Sequence, residues 1–201
     1  MLDQDCLFDL DELRRQEVAE TPWHGAPLAY TTDYYPVTEL EAAWDRYIAE
    51  HGHFGCIPRS HMWHTWNPLF TVRDVNLESG HSLVVLSADT RCDEDDHDHT
   101  AAPLPGKLMY QAICEQCQWH RIGAESEVVI AWHDHAMPGW RDLPAVPAKT
   151  KNVTAWAQEH YPAQWQFDGA PIVTAREHPS ASRAVAGRSP WKGYDIAAET
   201  M

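Results

Sequence analysis

The residues best suited to bind a metal ion are two cysteines and two histidines in the middle of the chain. Cys114 and Cys117 are separated by two residues, and His133 and His135 follow further along. A Cys-x-x-Cys turn lets two thiolates reach one zinc ion, at about 2.3 Å each. Thiolates and imidazoles together form a ligand set that suits zinc. The sequence therefore predicts a structural zinc site with Cys114, Cys117, His133 and His135 as ligands.

The conformation around His133 and His135 decides how many of the two rings can bind one ion. In a strand, residues i and i+2 share a face, and both rings would point the same way. In a helix, residues two apart diverge by about 200°, so one ring would bind and the other would lie at the surface. The run Val128-Val129-Ile130 permits a strand, and a helix from Glu125 fits as well. In the helical case the fourth ligand would come from Cys92, His97, His99 or His120.

A second group of histidines lies between residues 51 and 64. Its members with possible chemistry are His51, His53, Cys56, His61 and His64. The spacing of His61 and His64 suits one helical turn, but tryptophans interleave the segment and no carboxylate pair accompanies it. We therefore expect mostly structural packing here. A second metal site and a catalytic role are the alternatives.

The composition is that of an acidic globular protein. The chain has 201 residues, 44% of them hydrophobic, and a formal net charge of −15. Binding to duplex DNA normally requires a basic face, so general DNA binding is disfavoured. No apolar run is long enough to span a bilayer, and the first residues lack the pattern of a secretory signal. These features, with an odd number of cysteines, predict a cytoplasmic protein with metal-bound or reduced thiols.

The hydrophobic pattern predicts a few helices and a small sheet. Thr38 and Glu41 match a capping box, and apolar residues at helical spacing follow, which predicts a helix over 39–50. Further elements are strands at 69–75, 82–88 and 107–113, a strand or helix at 125–135, and a short helix at 154–160.

These elements predict an α+β fold: a small antiparallel sheet with a zinc-knuckle-like Cys-x-x-Cys site, a few helices and extended tails. The predicted organisation is an acidic N-terminal segment over 1–20, a single metal-stabilised domain over 21–165, and an irregular C-terminal extension over 166–201.

The N-terminal segment contains a short pattern with a possible partner. Gln4, Leu7 and Phe8 resemble the peptide by which many bacterial proteins dock on the DNA polymerase sliding clamp. The resemblance implies that Gln4 hydrogen-bonds the rim of the clamp groove and that Leu7 and Phe8 enter its apolar pocket. The alternative is that Leu7, Phe8, Leu10 and Leu13 form the core face of an N-terminal helix.

Several motifs along the chain resemble an uncharacterised family of actinobacterial and actinophage proteins. The residues that carry the resemblance are Cys56-Ile-Pro-Arg-Ser-His-Met-Trp63, Ala88-Asp-Thr-Arg-Cys92, the Cys-x-x-Cys pair, His133-Asp-His-Ala-Met-Pro-Gly-Trp-Arg-Asp-Leu-Pro144 and Gly187-Arg-Ser-Pro-Trp-Lys-Gly-Tyr-Asp195. The resemblance implies a bacterial or phage-infected cytoplasm. It brings no activity and no catalytic residues.

The leading functional hypothesis is a non-enzymatic, zinc-stabilised adaptor or inhibitor, related to phages, that docks on the sliding clamp. The sequence has no clearly spaced general acid and base, no phosphate-cradling glycine loop and no nucleophile elbow, which lowers the expectation of an enzyme. One alternative is a metal-dependent hydrolase that acts on nucleic acid through the segment from His51 to His64. Another is an acidic mimic of DNA that binds a host protein.

Overall fold

The computed structural model of the chain describes residues 5–51, 60–64, 80–92, 103–167, 170–175 and 195–197. Over these residues the fold is α+β, as the sequence predicts, with four α-helices and two three-stranded sheets. The chain divides into two compact units, residues 1–65 with 86–109 and residues 66–85 with 110–201. The predicted strand at 69–75 and most of the segment after residue 175 lie outside the described residues.

Two helices belong to the first unit, α1 (Asp5–Glu20) and α2 (Val37–His51). The predicted helix at 39–50 is α2, but it begins earlier than the capping box suggests. The backbone carbonyl of Pro36 accepts hydrogen bonds from both Glu39 and Leu40, which places Thr38 inside the first turn. Val37, Leu40, Ala43 and Tyr47 form its buried face.

An arginine on α2 holds the C-terminal end of α1. The guanidinium of Arg46 donates to the backbone carbonyl of Val18 and, at 2.9 Å, to that of Thr21. Carbonyl groups at a helix C-terminus have no partner within the helix, and a cation there is favourable. This contact fixes the end of α1 that lies furthest from the N-terminal motif.

The first sheet contains β1 (Val84–Asp89), β2 (Leu108–Cys114) and β3 (Trp119–Gly123), in the order β1-β2-β3. The predicted strands at 82–88 and 107–113 correspond to β1 and β2. β3 is antiparallel to β2, with Cys114 opposite Trp119. Only Gly123 of its residues is fully buried, which explains why its hydrophobic pattern does not predict a strand.

The second unit adds two helices and a parallel sheet. The helices are α3 (Glu125–Ala136) and α4 (Val153–His160), and the sheet contains β4 (Val146–Pro147), β5 (Ile172–Ala175) and β6 (Asp195–Ala197). The ambiguous segment 125–135 is therefore a helix. Its start is capped by the Glu127 carboxylate, which accepts a hydrogen bond from the Ala124 amide at 2.9 Å. The parallel sheet is not among the predicted elements, because the pairing of β4 with β5 joins distant parts of the chain.

The hydrophobic core of the second unit surrounds α3. Val128 and Trp132 of this helix are completely buried and pack with Leu83, which directly precedes β1, with Ala112 of β2 and with Ile172 of β5. The buried aromatic members of the core are Trp132, Trp140, Tyr161 and Trp165, as expected for the tryptophan-rich composition. This packing determines where the last turn of α3 lies, and that turn carries His133 and His135.

The N-terminus of α4 is held by a side-chain cap whose contribution to stability can be tested. The Asn152 side chain accepts a hydrogen bond from the Ala155 amide at 3.0 Å, which is an N-cap. We predict that Asn152→Ala lowers the free energy of unfolding by about 1 kcal/mol, measured by chemical denaturation. Asn152→Ser is the matched control, because serine also caps helices, and it should stay close to wild type. Equal stability of the two variants would contradict a capping role.

Candidate metal centre

Four side chains of the second unit converge at one place. They are His81, Cys114, Cys117 and His135, and one ligand atom of each lies within 4.8 Å of all the others. The Nδ1 atom of His81 lies 3.6 Å from the Sγ of Cys114 and 3.4 Å from the Sγ of Cys117. Two sulfurs and two ring nitrogens in this arrangement can hold a metal ion.

The sulfur–nitrogen distances agree with tetrahedral coordination. Zinc binds sulfur at about 2.3 Å and nitrogen at about 2.0–2.1 Å, which places adjacent ligand atoms of a tetrahedron about 3.6 Å apart. Both distances from His81 Nδ1 are close to this value. His81 and the two sulfurs therefore already have the spacing of ligands around one ion, and the whole group of four lies within 4.8 Å.

The first sheet brings His81 to the two cysteines. Cys114 ends β2, and one turn of 3-10 helix, Glu115–Cys117, returns the chain towards β3. Gln118 completes this turn in the left-handed conformation, with φ at 51°. His81 precedes β1, whose first residue lies beside the end of β2 because the two strands are antiparallel neighbours. Sheet pairing thus joins residues that are far apart in the sequence.

Ser82, the residue after His81, forms hydrogen bonds through its amide, hydroxyl and carbonyl groups. Its backbone amide donates to the Gln116 amide oxygen at 2.9 Å, and its hydroxyl donates to the same oxygen. The Ser82 hydroxyl also accepts from the Glu115 amide at 3.3 Å, and its carbonyl accepts from the Trp132 indole at 3.1 Å. The residue beside His81 is therefore bound both to the Cys-x-x-Cys turn and to α3.

His135 reaches the cluster from the last turn of α3. Its ring stacks on Trp119, with centroids 4.6 Å apart and planes 5° apart, and meets His81 edge-on at 4.8 Å. Its Nε2 atom is buried and has no hydrogen-bond partner among the described residues. A buried polar atom without a partner is costly, and a bound metal ion would satisfy it. The residues present therefore fit a metal ion.

The electrostatics of the cluster also favour a cation. Burial and the nearby His81 lower the pKa of His135, which keeps its ring in the neutral form that binds metals. Desolvation and the neighbouring Cys114 raise the pKa of the Cys117 thiol, since two thiolates side by side repel each other. A divalent ion between the sulfurs would offset this repulsion.

The structure brings together three of the four predicted ligands. His133 lies outside the cluster: it is completely buried, and its Nδ1 lies 2.7 Å from the Val129 carbonyl oxygen. The reason is the helical conformation of α3, which turns residues two apart to different sides. For a helix, the sequence predicted that the histidine outside the site would lie at the surface. This expectation is wrong, because that histidine is His133 and it is buried. Burial instead lowers the pKa of His133 to about 4.

His81 is the fourth member of the cluster, where the sequence predicts Cys92, His97, His99 or His120. Cys92 and His120 are not members of the cluster, and His97 and His99 lie outside the described residues. A signal for His81 was present in the sequence. It stands just before the predicted strand 82–88, and Cys114 follows the predicted strand 107–113. If these strands form an antiparallel pair, those two residues are neighbours.

Two histidines of the segment from His51 to His64 have packing roles. His61 is buried, and its Nδ1 lies 2.8 Å from the Asp89 carbonyl oxygen. His64 stacks on Trp44, with centroids 4.5 Å apart, and its backbone bridges Ser87. His53 and Cys56 lie outside the described residues.

The structure describes only some of the predicted clamp-binding residues. Gln4 lies outside the described residues, and Leu7 and Phe8 fall in α1.

No helix in the described parts of the chain is both long and apolar enough to cross a membrane.

The fold and the cluster define a small α+β protein with a group of two cysteines and two histidines that could hold a metal ion. A protein-family model described as a family of unknown function (DUF6349) matches residues 25–201, and the chain belongs to that family. No curated protein and no solved structure matches the chain.

The packing of His64 has a consequence for stability at low pH. Burial lowers its pKa from 6.5 to about 4, although the nearby Asp89 carboxylate opposes the shift. As the pH falls, the His64 ring is therefore protonated in the unfolded chain before it is protonated in the folded protein. We predict that the contribution of His64 to the free energy of unfolding is complete above pH 6.5 and is lost as the pH falls towards about 4.

His64→Phe keeps a planar ring on Trp44 and cannot titrate. Between neutral pH and about pH 4, its stability should fall less than that of the wild type, by about 1–3 kcal/mol after solvent screening of the half-buried ring. Denaturation curves across this range measure the difference. Parallel loss of stability in both proteins would contradict the assignment.

Proposed function

We propose that His81, Cys114, Cys117 and His135 bind one zinc ion. The observation that carries the proposal is the convergence of two sulfurs and two ring nitrogens within 4.8 Å of one another. Soft thiolates combined with imidazoles in tetrahedral geometry favour zinc over magnesium or calcium, which prefer oxygen ligands. The spacing of the His81 nitrogen from both sulfurs supports the same choice.

The proposed zinc ion has a structural role. Catalytic zinc sites generally keep one coordination position open for water or substrate, whereas structural sites use four protein ligands. Here four ligands are at hand, and they come from the start of β1, the hairpin turn and the end of α3. An ion bound by all of them would hold these three elements together.

We further propose that the chain acts as an adaptor or inhibitor rather than as an enzyme, and that its N-terminal segment docks on the bacterial sliding clamp through Gln4, Leu7 and Phe8. The side chains of Leu10 and Leu13, which follow the motif, are 56% and 59% exposed. A helix that buried its apolar residues in the core would cover them. The exposed positions therefore favour docking over the core-helix alternative.

Two further observations bear on the N-terminal motif. α1 packs against α2, and the contacts of Arg46 with α1 lie at its C-terminal end, at the carbonyls of Val18 and Thr21, away from the motif. The family match begins at residue 25, so the motif precedes the part of the chain that carries the family likeness. We propose that this docking occurs in phage-infected bacteria and acts on DNA replication, in keeping with the motifs that resemble actinophage proteins.

The zinc proposal predicts the metal content of purified protein. Protein prepared without added metal should contain about one zinc ion per chain by elemental analysis. Cys114→Ser, His81→Ala and His135→Ala should each lose the ion and the cooperative melting transition, because structural zinc supplies about 10–16 kcal/mol in small domains.

Two variants control for general effects of the substitutions. Cys92→Ser and His133→Gln should retain zinc, since neither residue belongs to the cluster. A wild type free of zinc with unchanged melting would refute the proposal. Loss of zinc in His133→Gln with retention in His81→Ala would show that the ligands are those expected from the sequence.

The clamp proposal predicts that a peptide of residues 1–14 binds the sliding clamp by itself, with a dissociation constant in the micromolar range. Leu7→Ala with Phe8→Ala should weaken binding at least a hundredfold in calorimetry. The reason is that burial of the two apolar side chains contributes about 3–6 kcal/mol to the free energy of binding. The same double substitution in the full chain should leave the melting temperature unchanged.

Leu10→Ala with Leu13→Ala is the matched control, since it removes similar apolar side chains from the same helix outside the motif. It should retain most of the affinity for the clamp. If the peptide does not bind and the Leu7 and Phe8 substitutions lower the melting temperature, the two residues belong to a core helix and the docking proposal fails.

A further inference from the structure

A cavity of about 570 Å³ lies in the second unit at the C-terminal end of α3. Small-molecule sites in proteins usually measure about 300–1,000 Å³, so its size suits a small ligand. The side chains that characterise its walls are Met137, Asp142, Leu143, Pro162, Trp165 and Phe167. None of the four residues of the candidate metal centre lines it, so the two sites are distinct.

The floor of the cavity is apolar and aromatic. Met137, Leu143 and Trp165 are between 4% and 8% exposed, so they are held in place by the core. Phe167 is half-buried and stacks on Trp165, with ring centroids 6.1 Å apart and planes 27° apart. Rigid aromatic side chains in a concave surface favour ligands with apolar or cationic groups.

The polar part of the cavity is negative. Asp142 is the one charged residue among the described residues of the lining. Its neighbour Arg141 points its guanidinium to the Asp134 carboxylate at 2.8 Å and lies 5.1 Å from the Trp140 ring centroid. That cation is already paired with Asp134, so it does not neutralise the exposed carboxylate of Asp142.

The end of α3 adds to the negative potential. Ala136 and Met137 belong to the lining, and carbonyl groups at a helix C-terminus carry partial negative charge. Pro138 follows, and it has no amide hydrogen to cap the Asp134 carbonyl. Partial charges and a carboxylate thus act in the same direction at one side of an aromatic cavity.

We infer that this cavity binds an organic cation, through the aromatic groups of Trp165 and Phe167 and the carboxylate of Asp142. The matching chemistry is a quaternary ammonium or guanidinium group, whose weak hydration and spread charge suit an aromatic wall. Such a group can belong to a free small molecule or to a basic side chain of a protein. The net charge of −15 attracts either source over a distance.

The test is a calorimetric and NMR titration of the full chain with three probes. Choline represents a free quaternary ammonium ion, and N-acetyl-arginine amide represents a protein side chain. The third probe, 3,3-dimethyl-1-butanol, has the shape of choline without its charge. At least one cation should bind saturably in the millimolar range or tighter, and the neutral probe should bind about fivefold more weakly or worse. Whichever cation binds more tightly identifies the source.

Variants identify the groups responsible. Asp142→Asn keeps the shape of the side chain and should weaken cation binding about fivefold, and Phe167→Leu should weaken it to a similar degree. Glu159→Gln removes one negative charge from α4, away from the lining, and should bind as the wild type does. Melting curves confirm that each variant is folded.

Three results would overturn the inference. They are equal binding of choline and its neutral analogue, equal affinity of Asp142→Asn and Glu159→Gln, and no saturable binding of any probe. The first would leave an apolar cavity without charge selectivity, and the second would place the cation elsewhere on the acidic surface.

Discussion

The arrangement of the second unit depends on how the start of β1 is held against the turn after β2. Ser82 makes this connection, because its amide, hydroxyl and carbonyl all bond to groups on the turn or on α3. His81 stands next to Ser82 and is therefore presented to both cysteines. The ring of His81 then lies within 3.6 Å of both sulfurs. The meeting of His81 with the two cysteines is thus a product of strand pairing.

The same contacts explain why the cluster involves α3. Trp132 is completely buried and donates its indole hydrogen to Ser82, so the helix and the strand end are joined in the core. His135 lies less than one turn further along the helix and reaches the sulfurs from the other side, with its ring supported by Trp119. Packing and coordination geometry therefore reinforce each other, and a bound ion would link the elements that the core already brings together.

The second unit also contains buried polar groups that weaken it. Gln111 is completely buried, and neither atom of its amide group has a hydrogen-bond partner among the described residues. The buried Nε2 of His133 has none there either. Each such group costs about 1–3 kcal/mol, a large share of the stability of a typical domain. A metal ion bound by four ligands would offset these losses, which gives a physical reason for a structural site in this unit.

The sequence alone determined the local features. The spacing of Cys114 and Cys117 predicted a turn that brings two sulfurs together, and hydrophobic patterns predicted α2, β1, β2 and the α+β class. These inferences succeed because they depend on residues close together in the chain. The sequence left the segment 125–135 undecided between strand and helix, because the run Val128-Val129-Ile130 is compatible with both.

Only the tertiary structure decided which histidines meet the sulfurs. The helical form of α3 turns His133 into the core and His135 towards the turn, and the packing of Trp132 selects that rotation. His81 enters because antiparallel pairing joins the start of β1 to the end of β2, a contact between residues more than thirty positions apart. Local patterns do not contain such contacts, since they arise from strand pairing and core packing across the whole unit.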